Sequence, residues 1–188
     1  MQISANASTG AATVLLLGDP RLRAVCDPVA DPRTPEARAS FETLEAALEN
    51  FRAEHGFGRG IAAPQIGVLE RYIAIDLGEG PRCLVNPRIT RKSAETFTMW
   101  DDCMSFPGLL VRLRRHESVD VAYLDEEGVE RSWRCAGRAE SELLQHELDH
   151  LDGVLAVDRA IDRESLVLRG AFDLDPARFR SLVDYVIA

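Results

Sequence analysis

The chain has 188 residues, with 22 Lys and Arg against 31 Asp and Glu, a net charge of −9 and 46% hydrophobic residues. A chain this long forms one domain that buries roughly 70% of its unfolded surface, and no apolar run is long enough to span a bilayer. The acidic balance argues against a protein that tracks nucleic-acid phosphates, because the densest basic stretch, Arg112 to Arg115, is short and reads as a solvated strand edge.

Residues 1 to 12 are small and polar and are expected to be a flexible tail, leaving 13 to 188 as a single domain. The start has neither a basic n-region nor a long apolar core, which places the protein in the cytoplasm with no membrane partner. Asp19-Pro20-Arg21 marks a turn. Thr34 is an N-cap candidate and Pro35 suits the first helical position. Ala37, Phe41, Leu44, Leu48 and Phe51 then recur at helical spacing up to Gly56. Short β-rich runs follow: Tyr72 to Leu77, Arg82 to Val85, Ile89 to Met99, Leu110 to Arg114 and Val119 to Leu124. Glu126-Glu127-Gly128 turns the chain into Val129 to Cys135. A second helix is expected from Arg138 to Leu151, stopped at Gly153. A third is expected after Asp175 and Pro176, carrying Phe179, Leu182, Val183 and Val186. Strands grouped between helices give an α+β fold, with mixed or antiparallel sheets around the second helix and helices near both ends.

Chemistry concentrates in that second helix, at His146-Glu147-Leu148-Asp149-His150. Residues four apart share a helical face, so both imidazoles can reach one metal ion, with Glu147 beside a metal-bound water. A third ligand is required. The pattern HExxHxxGxxH matches through Gly153 and then fails, because Ala156 stands at the ligand position. Glu164 is available downstream, in what reads as a turn context. Cys103 lies where strand patterning is interrupted, and a Cys/His/His site with an open position is a catalytic geometry.

Three segments together resemble the signature motifs of the peptide deformylases, in the same order. They are Gly58-Arg59-Gly60-Ile61-Ala62-Ala63-Pro64-Gln65, the segment around Cys103, and His146 to His150. The likeness extends over roughly residues 14 to 158, including Asp19-Pro20-Arg21-Leu22-Arg23, Leu84-Val85-Asn86-Pro87, Gln145 and Leu151-Asp152-Gly153. It implies removal of the N-formyl group from the N-terminal methionine of new polypeptides, with release of formate. It further implies a divalent metal on Cys103, His146 and His150: iron(II) as the working ion, with zinc, nickel or cobalt as replacements. Glu147 becomes the general base, and Gln65 with the Met104 backbone N–H becomes the oxyanion donor pair. Gly58 and Gly60 let the backbone approach closely, so the Gly60 and Ile61 main chain can take an extended peptide as an added strand.

Several residues depart from the family pattern. Asp101-Asp102 precedes Cys103 where Glu-Gly is usual. Asp101 is expected to pair with Arg115, and Asp102 to sit near the metal, raising the pKa of Glu147 or of the bound water and shifting activity to higher pH. Arg59 stands where the family has an apolar residue, Glu142 lies one turn before His146, and the two border the side-chain pocket and are expected to bridge each other. Leu110 stands where an arginine usually contacts the peptide. The C-terminal segment lacks the basic face that would support ribosome docking. A solvent-facing Cys103 would be oxidation-prone. Cys26, Cys83, Cys135, Trp100 and Trp133 are read as packing residues, His55 as a helix C-terminal charge and His116 as a surface strand residue. Competing functions are an amidase or peptidase on another acyl-amine, and a deformylase-like protein that keeps metal without turnover.

Overall fold

The computed structural model describes residues 12–135 and 137–187, so the expected tail lies outside the described residues except for Ala12. Helix α1 (Pro35–His55) starts as its sequence dictates. Thr34 accepts a hydrogen bond from the Ala37 N–H through its hydroxyl, Pro35 occupies the first position, and Gly56 ends the helix in the left-handed conformation at φ 75°. Five antiparallel strands form the larger sheet, in the order β1 (Gly60–Ala62), β2 (Tyr72–Ile75), β3 (Arg82–Lys92), β6 (Val119–Leu124), β7 (Glu130–Arg134). A smaller sheet places β5 (Leu109–His116) between β4 (Thr96–Asp101) and β8 (Leu166–Leu168).

Alternation along the strands explains how the sheet is buried on both faces. Tyr72, Ala74, Cys83 and Val85 pack with the apolar stripe of α1 (Phe41, Leu44, Leu48, Phe51). Their neighbours Ile73, Ile75 and Leu84 face the opposite way, against Leu143, Leu144, Leu148 and Leu151 of helix α2 (Arg138–Leu151). A third cluster, Phe97, Met99, Val111, Leu113 and Ala156, fills the smaller sheet. Ten of the fourteen α2 residues are buried, and two of the polar ones, Ser141 and Gln145, are satisfied by the end of β5. Ser141 Oγ and Gln145 Nε2 donate to the His116 carbonyl at 2.8 and 3.0 Å, and Gln145 Oε1 accepts from the His116 N–H at 2.9 Å.

Several expectations need correction. Arg82 to Lys92 is one strand, running through Pro87. Proline is tolerated there because the register slips between Val85 and Arg88, so no ladder bond is demanded of it. Asn86, at φ 50°, anchors the irregularity by holding both the N–H and the carbonyl of Val29 at 2.9 Å. The Ile89 to Met99 run is broken by a turn around Ser93 to Glu95, with Ser93 Oγ donating to the Glu95 carbonyl. Arg112 to Arg115 is no sheet edge, since β5 is central, and Arg115 is only 3% exposed. Strand β8 was not anticipated. The C-terminal helix is also shorter than its pattern: Asp175 caps Arg178 as expected, yet helix α4 (Pro176–Arg180) follows a separate α3 (Arg169–Leu174) and ends after five residues. Beyond it the Asp184 carboxylate takes the Thr98 N–H and hydroxyl, and Tyr185 pairs with Met99, so β4 captures residues that would otherwise extend the helix.

One titration prediction belongs to α1. Burial first, then the neighbouring Glu126, raises the Glu45 carboxyl from near 4.5 to about 7. A carboxyl whose folded pKa exceeds its unfolded value holds extra protons when folded, so its contribution to stability declines as pH rises through that interval. Glu45→Gln should therefore raise the unfolding temperature at about pH 8 while leaving it unchanged at about pH 4; equal shifts at both would show that the charge is not responsible.

Candidate active site

Strand β4 delivers Cys103 just past its end, and α2 delivers His146, Glu147 and His150 from one face. Cys103 Sγ lies 3.3 Å from His150 Nε2, and the ligating atoms of Cys103, His146 and His150 all fall within 4.8 Å of one another. Glu164, the other possible third ligand, is exposed on its turn and does not join this group. His146 Nδ1 is held by Asp101 Oδ2 at 3.0 Å, which leaves Nε2 for the Cys103 side. His150 Nδ1 and Glu147 Oε2 are buried without a hydrogen-bond partner. One sulfur, two imidazole nitrogens and the unpartnered Glu147 Oε2 at one buried point fit a divalent cation.

The ion pairs beneath this trio fix its orientation. Arg115 Nη2 contacts Asp101 at 2.9 Å, as expected, and Arg115 Nη1 contacts Asp149 Oδ2 at 2.5 Å, while Arg159 donates to both oxygens of Asp149. Burial opposes the Asp101 charge, but His146 and Arg115 outweigh it and hold that carboxyl well below its usual range. The two rings differ in turn: Asp101 raises the His146 pKa against the burial that would lower it, while burial and then His146 keep His150 neutral. Replacing Arg115 with Met removes the guanidinium that Asp101 and Asp149 share, leaving buried Asp101 with His146 alone and Asp149 with Arg159. Metal-free protein should lose about 3–5 kcal/mol in urea unfolding; a loss below about 1 kcal/mol would mean water reaches the pair.

Gln65 is 1% exposed, with its amide orientation set by the Ala62 N–H donating to Oε1 at 2.8 Å. Its Nε2 therefore faces the trio, 3.2 Å from Ser105 Oγ and 3.6 Å from Cys103 Sγ. Gly58 adopts φ 114°, and a Cβ at Gly60 would stand 2.7 Å from Glu147 Oε1, so Gly60 lets the β1 backbone lie against the carboxylate. Met104 is buried beside them, and Ile61 is fully buried in β1.

These groups open into a cavity of about 450 Å³, whose lining includes Arg59, Glu142, Trp100, Leu110 and the C-terminal residues Arg169, Phe172, Arg180 and Tyr185. Arg59 and Glu142 do bridge, with Arg59 Nη1 also donating to the Ala139 carbonyl at 3.0 Å. Burial raises the Glu142 carboxyl to about 7 although Arg59 pulls it down. Glu147 is likewise raised to about 7, by burial first, then by Asp101 and Glu142. The rise expected at Glu147 is present, but its source is corrected: Asp102 is turned to Arg169 at 2.6 Å and is not among the leading causes. Cys103 is 2% exposed, so the solvent-facing thiolate is corrected too. Trp100 packs as expected, donating Nε1 to the Phe179 carbonyl at 2.8 Å, and it also forms cavity wall. His55 stacks on Phe51 at the end of α1, and His116 is half-buried with Nδ1 on the Ser93 carbonyl. Sequence reasoning missed Asp149, Arg169, Phe172, Arg180 and Tyr185. The last four lie past the recognisable motifs, where no spacing signals a site.

A family model described as polypeptide deformylase matches residues 11–165. The chain belongs to that family. It is 36% identical to a peptide deformylase of Thermotoga neapolitana over 156 residues, covering 83% of this chain and 91% of that one. A peptide deformylase of Treponema pallidum is 38% identical over 148 residues, with 76% and 84% covered. Among solved structures, the peptide deformylase of Thermotoga maritima superposes with a TM-score of 0.74 at 30% identity, covering 82% of this chain and all of that one (100%). The Synechococcus elongatus enzyme in complex with actinonin gives 0.75 at 30% identity, with 93% and 94% covered. The α+β architecture is thus that of the family, and Arg169, Phe172, Arg180 and Tyr185 line the cavity from beyond the segment that the family model matches.

Proposed function

We propose that this chain is a metal-dependent hydrolase that removes the N-formyl group from the N-terminal methionine of new polypeptides, releasing formate and a free amine. The observation that carries the reading is the convergence of Cys103, His146 and His150 beside a buried Glu147 with an unpartnered oxygen. Cys103 Sγ and the Nε2 atoms of His146 and His150 would hold the cation, for which iron(II), zinc, nickel and cobalt all suit this donor set. When bound, the cation supplies Lewis acidity and lowers the pKa of a coordinated water.

The chain's own groups do the rest. Glu147, with a carboxyl near 7, is suited to accept the proton of the attacking water and return it to the amide nitrogen as the C–N bond breaks. Gln65 Nε2 and the Met104 N–H donate to the formyl oxygen as it gains charge. The Gly60 and Ile61 main chain, on sheet edge β1, pairs with the extended peptide, and Gly58 gives it room. Leu110, buried at the cavity wall, makes no charged contact with the peptide. The described residues contain no helix long and apolar enough to cross a membrane, and we place the protein in the cytoplasm. Its partner is a formylated peptide N-terminus; the net charge of −9 and the short C-terminal helices favour neither nucleic acid nor ribosome docking.

Metal-loaded protein should release formate from formyl-Met-Ala-Ser and no acetate from the acetylated peptide. Equal cleavage of both would favour a general amidase, and metal retention without release from any formyl peptide would favour a binding protein.

A further inference from the structure

The turn that carries Cys103, residues 102–108 between β4 and β5, is held from two sides. On one side the Leu17 N–H donates to the Ser105 carbonyl at 2.8 Å, and Gln65 Nε2 reaches Ser105 Oγ. On the other a single residue, past the end of the segment that the family model matches, closes both ends of the turn. The pairing of β8 with β5, Leu168 opposite Leu109, sets Arg169 beside Gly108, and the Arg169 N–H donates to the Gly108 carbonyl at 2.9 Å. Its guanidinium donates to Asp102 Oδ2 at 2.6 Å through Nη2 and to the Pro107 carbonyl at 3.1 Å through Nε. The same group lies 5.4 Å from the centroid of the Phe57 ring, next to Gly58. Among the described residues, no other side chain bonds Asp102 or the Pro107 carbonyl.

Resting on Cys103 as a ligand in the reading above, we propose that Arg169 is a positioning residue for the metal centre, clamping the turn of residues 102–108 so that Cys103 Sγ and the Met104 N–H are already in place when a cation and a peptide arrive. A ligand supplied by a turn binds tightly when the turn is closed beforehand, because the cost of ordering it is then met in folding. Three bonds from one residue span both ends of this turn, and two of them need the planar fork of arginine. Asp102 is the other half of the clamp. Glycine, usual at its position, offers no side chain to hold.

Arg169→Met keeps the stem of the side chain and removes the fork. By charge alone, removing a cation beside the site would tighten the binding of another, so weaker metal binding reports position. Titration of metal-free protein with zinc against a competing chelator should show Kd raised by about 10- to 100-fold. On metal-loaded protein, kcat for formyl-Met-Ala-Ser should fall about tenfold with KM little changed. The Asp102–Arg169 pair is partly exposed and adds little to global stability, so the unfolding temperature of metal-free protein should stay within about 3 °C of the parent. The four cysteines, all buried, supply an internal control: alkylation of the metal-free variant should quicken about tenfold at Cys103 and stay unchanged at Cys26, Cys83 and Cys135. Arg169→Lys, which cannot hold Asp102 and Pro107 together, should fall between the two. Zinc binding that is unchanged or tighter in Arg169→Met overturns the clamp. A rise in KM alone would make Arg169 a peptide contact, and equal quickening at all four cysteines would make it a general stabiliser; either overturns the clamp and leaves the deformylase reading standing. If the unaltered protein binds no zinc and releases no formate, both fall.

Discussion

Glu147→Gln should lower formate release from a formyl peptide by about 10²- to 10⁴-fold while leaving metal content unchanged. The substitution keeps the shape of the side chain and removes its ability to take a proton. The environment makes the loss large. Glu147 is 3% exposed, Oε2 has no partner and burial has brought the carboxyl to about 7, so no neighbour is placed to inherit the proton. Glu142, the other carboxyl with a similar value, is engaged by Arg59. Because Gly60 packs directly on Glu147, Gly60→Ala should show a milder loss by displacing the carboxylate, and the pair of variants separates proton transfer from position. Metal and formate measured on the same preparation decide the point: a Gln variant within about threefold of the parent would remove Glu147 from proton transfer.

Cys103→Ala should abolish both stoichiometric metal and detectable formate release. Two imidazoles alone leave the cation with half its tetrahedral shell, and the thiolate is the only anionic ligand of the three. The cavity left by one sulfur is small, and the segment remains tied by Asp102 to Arg169 and by the Trp100 indole to the Phe179 carbonyl, so the variant should fold. Cys103→Ser tests the same point with a hydroxyl in place of sulfur and should bind metal weakly. Undiminished metal in the alanine variant would take the thiolate out of the site and reopen the search for a third ligand.

How much of this was legible before folding depended on the range of the interaction. Thr34, Pro35 and Gly56 bound α1 because caps act within a turn, and the apolar stripe that faces β2 and β3 repeats every three or four residues. The same locality set α2 at Arg138–Leu151 and put His146 and His150 on one face. The C-terminal helix failed for the converse reason: Asp184 and Tyr185 are bound by Thr98, 86 residues away for the Asp184 carboxylate, and no local pattern records that competition. The long strand through Pro87 was hidden because proline normally ends a strand, and only the bulge against β6 permits it.

The sequence by itself determined the helical face bearing His146, Glu147 and His150, the ends of the first two helices and, through three ordered motifs, the family. Tertiary structure alone decided that Cys103 meets His150 from 47 residues away, that Asp102 is neutralised by Arg169 from 67 residues away, and that Arg115 is buried under the site. Backbone periodicity is read within a few residues, whereas the charges that share one water-poor cavity are set by how the sheets and α2 close on each other, and that closure determines each group's solvent and partners.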